Sequence, residues 1–491
     1  MLNATIKIFF LLWVAPAYSN WLAIINHTSI HKYGSRSLHS EKTKWFVSLS
    51  SELDHQKMTL LSVLKQNNND QAIVQVPNSP HNLKQLKEWL ANKKISSYER
   101  DTPFQVQTSH TSTPHMPWWD IIHLPEALRG FHPKISPIIA VIDSGVDIEH
   151  PMIRDHIWVN PYPGEQFCGH DLYGCDTSRP TREYLGSPNV WPEGTHGYAQ
   201  KCPLGSPYSS CQHGTHIAGI ITGDARNNRP GSCSHCRILV LKVVHHGTIS
   251  DASVIRALRY ILTLKEKGEP IAVVTASFGR SKHSKALGLM MQYLQQRSGP
   301  LVVAAAGNDN RLGTSYPSRY PNALTVTAVN SKLHRASYAN YGTAVDIAAP
   351  GGDHHSGILS AIPGYGTTTM TGTSQAVPIV AGVAGLIYAV QPHLKAEELK
   401  HIITTSSKQS LYQIKENEKF TLIKNKKQRG LLGKGLIQAK AALESPPPYP
   451  HSHTPNAPLC GGVSLSWLVF FLCQLIFPTR FIKTFSRNKS S

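Results

Sequence analysis

Acidic residues are scarce in this chain. Its 491 residues include 30 Asp and Glu against 49 Lys and Arg, which gives a formal charge of +19. Such an excess suits an anionic partner, but apart from two clusters near the C-terminus it is spread thinly, so we predict no nucleic-acid partner. Charged residues make up only 16% of the chain and apolar residues 41%. This globular balance excludes a wholly disordered chain and a fibrous repeat.

The apolar runs at the two chain ends are shorter than the roughly 20 residues that usually cross a bilayer. At the start, Lys7 precedes a short apolar run, and Ala17 and Ser19 provide the small residues of a cleavage site. This pattern predicts a secretory signal peptide at residues 1–19. Toward the end, the uncharged run Val463–Phe477 precedes a basic tail, which would stay on the cytoplasmic side of a membrane.

The short motif Cys460-Gly461-Gly462 comes directly before this run. Its order of motif, apolar run and basic tail is similar to that of bacterial C-terminal sorting signals, with a plain tail anchor or a packed helix as alternatives. We therefore predict a sorting signal or membrane anchor at 460–491, after a Pro-rich linker at 446–459. The protein is expected to be exported and held at the membrane by this tail, or secreted once the tail is processed.

Three segments present an acid, a base and a hydroxyl in one order. Asp143 ends an apolar, β-branched run that predicts a buried parallel strand. His213 is followed by small residues that suit a helix packed on a sheet, and Ser374 precedes the apolar run Ile379–Val390, which predicts a buried helix. A histidine can take the proton of a serine hydroxyl, and an acid behind the imidazole fixes its tautomer. Asp, His and Ser in this order form one of three known arrangements of that triad.

These segments resemble those of subtilisin-like serine proteases, the subtilase family. The resemblance is carried by Ile138–Pro151, His213–Gly223 and Gly372–Ile387, and with weaker matches it spans about Pro117–Leu443. It implies an α/β fold, a subtilisin-like parallel sheet flanked by helices, in a catalytic domain at 115–445. It also implies an endopeptidase that hydrolyses protein or peptide substrates through an acyl-enzyme.

The resemblance assigns each catalytic role to one residue. Asp143 corresponds to the acid of the triad, His213 to the general base and Ser374 to the nucleophile. Asp147 and His216 are nearby rivals for the acid and the base. His213 and His216 could also hold a metal, but no third ligand pattern accompanies them and no HExxH string occurs, so we predict no catalytic metal.

Two further segments are expected to line the site. Asn308 follows a predicted strand and matches the oxyanion-hole asparagine of the family, although Asn is also a common turn residue. Ser277, Phe278 and Gly279 resemble the segment that pairs with an extended substrate. Arg280 stands where glycine is common. We expect it to be exposed in a loop, and the alternative is a position near the cleft that favours acidic substrate residues.

No cofactor is required for this chemistry. A structural calcium ion is compatible with the family, but Met152 stands where subtilisins have an acid that helps to bind one. A thioether is a poor ligand for a hard cation, so we expect that site to be lost.

A Cys-rich insertion at about 155–210 separates the acid from the base. Six cysteines in or near it suggest up to three disulfides in an exported protein; they are Cys168, Cys175, Cys202, Cys211, Cys233 and Cys236. Zinc binding between Cys233 and Cys236 is the alternative.

Residues 40–110 resemble the small α+β inhibitory propeptides of subtilases. Trp45–Leu49 and Ala72–Val76 are predicted strands, Asn82–Leu90 is a predicted helix, and Ile95–Val106 resembles the last strand and its exit. This implies a zymogen inhibited by its own propeptide, with a cut in Gln107–Pro117. A partner-binding module that is never removed is the alternative for this segment. For the whole chain, the alternative is a catalytically silent subtilase-fold binding protein at the cell surface.

Overall fold

The computed structural model describes residues 20–25, 59–64, 71–106, 109–110, 115–162, 173–179, 187, 189–192, 208–407, 411 and 430–447. The predicted signal peptide, the predicted strand Trp45–Leu49, most of the Pro-rich linker and the segment 460–491 lie outside these residues, as do Cys168 and Cys202.

A small antiparallel sheet comes first in the chain. In sheet order its strands are β2 (Thr59–Leu64), β3 (Gln71–Val76), β1 (Trp21–Ile25) and β4 (Ile95–Arg100). Helix α1 (Pro80–Ala91) begins where Ser79 Oγ accepts a hydrogen bond from the Asn82 N–H, and it packs Trp89 into the small core. The expected strand and helix correspond to β3 and α1. Because β1 pairs with both β3 and β4, this unit reaches back beyond residue 40.

The main sheet is parallel and consists of buried, largely β-branched strands. In sheet order they are β18 (Ile347–Pro350), β17 (Ala323–Val329), β16 (Leu301–Ala305), β14 (Ile271–Ala276), β7 (Ile138–Asp143), β11 (Arg237–Lys242) and β8 (Gly174–Asp176). Alternate side chains of β7 enter two cores, with Ile139 and Val141 on one face and Ile138, Ala140 and Ile142 on the other. Strand β8 comes from the predicted insertion and adds an edge strand beside β11.

Helices cover both faces of the main sheet, which confirms the predicted α/β class. They are α2 (Trp118–Ile121), α3 (Leu124–Leu128), α4 (Tyr208–Thr222), α5 (Asp251–Glu266), α6 (Lys285–Gln296), α7 (Thr373–Val390), α8 (Ala396–Thr405) and α9 (Ala439–Glu444). Helices α4 and α7 pack on one face, and α5 and α6 pack on the other. Helix α7 is long and apolar enough to cross a membrane, but it is buried inside the domain.

Short strands complete the described structure. They are β5 (Gln105–Val106), β6 (Ser109–His110), β9 (Gly223–Asp224), β10 (Arg229–Pro230), β12 (Val244–His245), β13 (Thr248–Ile249), β15 (Phe278–Gly279), β19 (Ile358–Ile362) and β20 (Gly366–Thr371). Two of them, β5 and β6, tie the chain that leaves the small sheet to the catalytic part, because β5 pairs with β15 and β6 pairs with β20.

Candidate active site

The predicted acid and base meet at the carboxyl edge of the main sheet, where open α/β folds place their sites. Asp143 is the last residue of β7, and the Nδ1 atom of His213 lies 2.8 and 2.9 Å from its two carboxylate oxygens. Both side chains are buried. The Ser144 N–H donates to Asp143 Oδ1 at 2.7 Å and so fixes the carboxylate. This contact favours the tautomer with the proton on Nδ1, which leaves Nε2 as the acceptor.

The glycine after His213 allows helix α4 to approach this edge closely. A Cβ atom at Gly214 would lie 2.2 Å from the carbonyl oxygen of Gly145. The Gly214 N–H donates instead to Ser144 Oγ at 3.0 Å. Any larger residue at 214 would push the imidazole away from its acid.

Asp147 and His216, the alternatives for the acid and the base, form hydrogen bonds elsewhere in the fold. The carboxylate of Asp147 accepts hydrogen bonds from the backbone N–H groups of Glu149 and Gly364. His216 Nε2 lies 3.2 Å from the carbonyl oxygen of Thr368 in β20. The structure therefore brings Asp143, and not Asp147, to His213.

Ser374 is the second residue of α7, whose side chains pack against those of α4. Its hydroxyl donates to the carbonyl oxygen of Ser277 at 2.7 Å, and Ser277 Oγ donates back to the Ser374 carbonyl at 3.1 Å. Among the described residues, the buried His213 Nε2 has no hydrogen-bond partner. The serine hydroxyl is thus held by Ser277 in this conformation, and not by the imidazole.

Asn308 lies just after β16 and is oriented by the residue before the nucleophile. Its Oδ1 atom accepts hydrogen bonds from the Thr373 N–H at 3.0 Å and from Thr373 Oγ1 at 2.8 Å. Because both donors bind the amide oxygen, the Nδ2 group must point away from Thr373. Sequence reasoning missed this role of Thr373, although it stands in the quoted match beside Ser374.

The segment predicted to bind substrate already pairs with an extended strand. In the antiparallel pair of β15 and β5, Phe278 faces Val106 and Gly279 faces Gln105. The Phe104 N–H donates to the carbonyl oxygen of Ile249 on the other side at 2.8 Å. Residues 104–106 therefore lie in a cleft whose walls are β15 and β13.

A match to a known family covers these elements. The sequence profile of the subtilase family matches residues 134–431, which include every residue assigned above to the acid, base, nucleophile and oxyanion site. The chain belongs to the subtilase family. It is 32% identical over 254 residues to the "Thermophilic serine proteinase" of Bacillus sp. (strain AK1), covering 51% of each chain.

Two other relatives are similar to this subtilase over comparable lengths. "Thermitase" of Thermoactinomyces vulgaris is 33% identical over 185 residues, 37% of this chain and 63% of its own. "Subtilisin amylosacchariticus" of Bacillus subtilis subsp. amylosacchariticus is 34% identical over 229 residues, 45% of this chain and 54% of its own. The matched part thus spans about half the length of these curated relatives.

The structure corrects the expectation that Arg280 of this subtilase is an exposed loop residue. Its side chain is buried, and its Nη2 lies 2.7 Å from both carboxylate oxygens of Asp251. Its Nη1 donates to the carbonyl and hydroxyl oxygens of Thr102. The alternative of acid recognition is also disfavoured, because the Asp251 carboxyl already occupies Nη2 of the guanidinium.

The described residues decide one cysteine alternative, and the expected loss of the calcium site stays a prediction. Met152 packs into the core beside α4, and among the described residues no group of three or more His, Cys, Asp or Glu side chains is placed to hold a metal ion. Cys233 and Cys236 form a disulfide, so the zinc alternative at these two sulfurs is wrong, since only thiolates ligate zinc. Cys175 and Cys211 are also disulfide-bonded.

Proposed function

We propose that the chain is an exported serine endopeptidase, made as a self-inhibited zymogen, that uses Asp143, His213 and Ser374. The observation that carries the proposal is the buried hydrogen-bonded pair of Asp143 and His213, whose Nε2 is left as an acceptor. The names of the relatives, which include a serine proteinase, support the same class of activity.

In the proposed reaction, Ser374 Oγ leaves the Ser277 carbonyl, turns to His213 and attacks the substrate carbonyl carbon. The hydroxyl proton passes to Nε2, and Asp143 stabilises the imidazolium through Nδ1. The oxyanion accepts hydrogen bonds from Asn308 Nδ2 and from the Ser374 N–H at the start of α7. The imidazolium then protonates the leaving amine, and a water molecule hydrolyses the acyl-enzyme by the same proton transfers.

The path of the chain from the small sheet to the catalytic part supports the zymogen part of the proposal. Val106 pairs with β15 on one side of the nucleophile, and Ser109 faces Thr371, three residues before Ser374, on the other. An inhibitory segment that crosses the active site would run in this way. We therefore place the maturation cut between Val106 and Ser109, which overlaps the predicted interval of Gln107–Pro117.

Export and the membrane tail rest on the sequence. The apolar start at 1–19 supports a signal peptide, and the order of motif, apolar run and basic tail at 460–491 supports a sorting signal or an anchor. Both segments lie outside the described residues.

The test compares wild-type protein with a Ser374→Ala variant by intact mass spectrometry and by labelling with a fluorophosphonate. We expect wild type alone to lose the segment before about residue 109 and to carry the label on Ser374. If both proteins keep the segment and neither is labelled, the proposal fails. If both are trimmed alike and only wild type is labelled, another protease matures the enzyme and only self-processing is excluded.

One observation favours the second candidate, a silent binding protein of the same fold. The Ser374 hydroxyl is bonded to Ser277 and not to His213, as it would be in a site that does not activate its serine. Catalytic hydrogen bonds often form only when substrate is bound, so the fluorophosphonate label decides between the two.

A further inference from the structure

An aromatic side chain, that of Phe104, lies in the cleft between β15 and β13. Phe104 is buried, and its ring meets that of Phe278 edge to face with 5.2 Å between the ring centroids. The guanidinium carbon of Arg280 lies 4.3 Å from the centroid of the Phe104 ring. The Phe104 ring thus contacts one aromatic ring and one guanidinium group.

Apart from its contacts with Phe104 and Thr102, Arg280 is held by hydrogen bonds to groups of the catalytic part of the chain. Its Nη2 contacts both oxygens of Asp251, the first residue of α5, and its Nε donates to the Lys282 carbonyl at 2.9 Å. Its backbone also pairs with Tyr316 through two hydrogen bonds. None of these partners belongs to the segment before residue 107, so they remain after maturation.

We propose that Arg280 is a specificity-determining residue that selects an aromatic side chain in substrates, at the position that Phe104 occupies here. The proposal rests on the proposed function, because it assumes that substrates pair with β15 as residues 105–106 do. An arginine stays charged at all working pH values, and its flat face stacks favourably on a π face. An aliphatic side chain at this position would fill the space without offering that face.

The second contact of Arg280 carries less selectivity. Its Nη1 donates to the carbonyl oxygen of Thr102 as well as to the hydroxyl. Every peptide residue has a carbonyl. This bond therefore favours any substrate that extends two residues on the N-terminal side of the aromatic one, whatever its sequence. Selection by side chain therefore falls to the aromatic position.

The test uses internally quenched peptides with the sequence of residues 101–110. In one series the phenylalanine is replaced by cyclohexylalanine, which has nearly the same volume and no π face. Enzyme concentrations are fixed by fluorophosphonate titration of matured protein. We expect wild type to cleave the phenylalanine peptide with a kcat/KM about fivefold higher than that of the cyclohexyl peptide.

Two variants and a control separate selection from stability. The double variant Asp251→Asn/Arg280→Met removes both charges of the buried pair, and we expect the ratio to fall to about one. Arg280→Lys keeps the positive charge but lacks the flat guanidinium, so we expect an intermediate ratio of the two kcat/KM values. This single variant still tests the proposal if the double variant does not fold. Arg297→Met, at the exposed end of α6, is the matched control and should keep the wild-type ratio.

The outcomes are distinct for the two proposals. If labelled wild type shows no preference, or if the Arg280 variants show the wild-type preference, this inference is overturned and the endopeptidase proposal stands. If wild type is neither labelled nor able to cleave any of the peptides, the proposed function fails, and this inference fails with it.

Discussion

At the scale of single residues, the side chain of Asn308 has an amide orientation that two hydrogen bonds determine. Thr373 donates two hydrogen bonds to its amide oxygen, so in the proposed reaction Nδ2 is the group that would donate to the oxyanion. We predict that Asn308→Ala lowers kcat by about 100- to 1000-fold with little change in KM, because the lost hydrogen bond forms in the transition state. Steady-state kinetics on titrated enzyme will measure this.

The matched control for this prediction is Asp309→Ala. Asp309 is the next residue, it is exposed, and it pairs with Arg311. We expect its kcat to stay within a few-fold of wild type. An equal loss in both variants would show that the loop, and not the amide, is responsible.

Single residues also show where prediction from the sequence reached its limit. Asp143 and His213 could be predicted because each stands in a local pattern that positions it at a sheet edge or on a packed helix. Arg280 could not, because its burial depends on Asp251 and Thr102, and Thr102 lies 178 positions away in the chain. From the sequence alone, an arginine that follows a strand is predicted to be exposed, because its distant partners are not known.

At the scale of elements, strand β4 supplies an acid to the start of helix α6. The carboxylate of Glu99 accepts hydrogen bonds from Ser284 Oγ at 2.7 Å and from the backbone N–H groups of Lys285 and Ala286 at 3.0 Å each. A carboxylate is favourable at a helix N-terminus. We predict that Glu99→Ala makes the cleaved segment leave the mature enzyme about tenfold faster, measured as the time course of peptidase activity after the cut.

The matched control for the Glu99 prediction is Glu88→Ala. Glu88 lies on α1 of the same small unit and pairs only loosely with Lys84 at 4.0 Å. Activity should appear in this variant at the wild-type rate. If Glu99→Ala releases the segment no faster than wild type does, the helix contact does not contribute to docking.

Elements with strong local patterns were predicted, and those that depend on distant partners were not. The apolar runs of β7 and α7 are long enough to predict a buried strand and a buried helix from the sequence alone. Strand β1 is short and lies before the expected boundary of 40, and it is a strand because β3 and β4 flank it. Helix α8 starts at Ala396, because the Glu398 carboxylate accepts the Lys395 N–H at 2.7 Å and sets the cap there.

At the scale of the whole molecule, two carboxyl groups are buried where the small unit meets the catalytic part. Asp101 accepts hydrogen bonds from the Asp251 N–H at 2.8 Å and from Gln75 Nε2 at 3.2 Å, and Arg256 and Arg280 face the pair. Burial raises the pKa of Asp101 from 3.8 to about 6, although the hydrogen bond and the two arginines oppose the rise. Burial also raises the pKa of Asp251 to about 7, against the attraction of Arg280.

The direction of these shifts sets the pH dependence of docking. A carboxyl whose pKa rises on docking holds its proton more tightly in the docked state. Docking is therefore strongest below the ordinary pKa of 3.8 and weakens as the pH rises through about 6. We predict that the cleaved segment is retained longer at about pH 5 than at about pH 8, with up to about tenfold loss of affinity per pH unit for each proton released.

Size-exclusion chromatography of matured protein at a series of pH values measures how much of the segment stays bound. Asp101→Asn keeps an oxygen for the Asp251 N–H but cannot ionise, so its retention should vary less with pH and exceed that of wild type near pH 8. Asp155→Asn, a change at an exposed loop carboxylate, should keep the wild-type profile. Equal pH dependence in wild type and Asp101→Asn, or tighter retention at high pH, would show that Asp101 does not link docking to protonation. In the proposed exported zymogen, such a link would keep the enzyme inhibited in acid and release it as the pH rises.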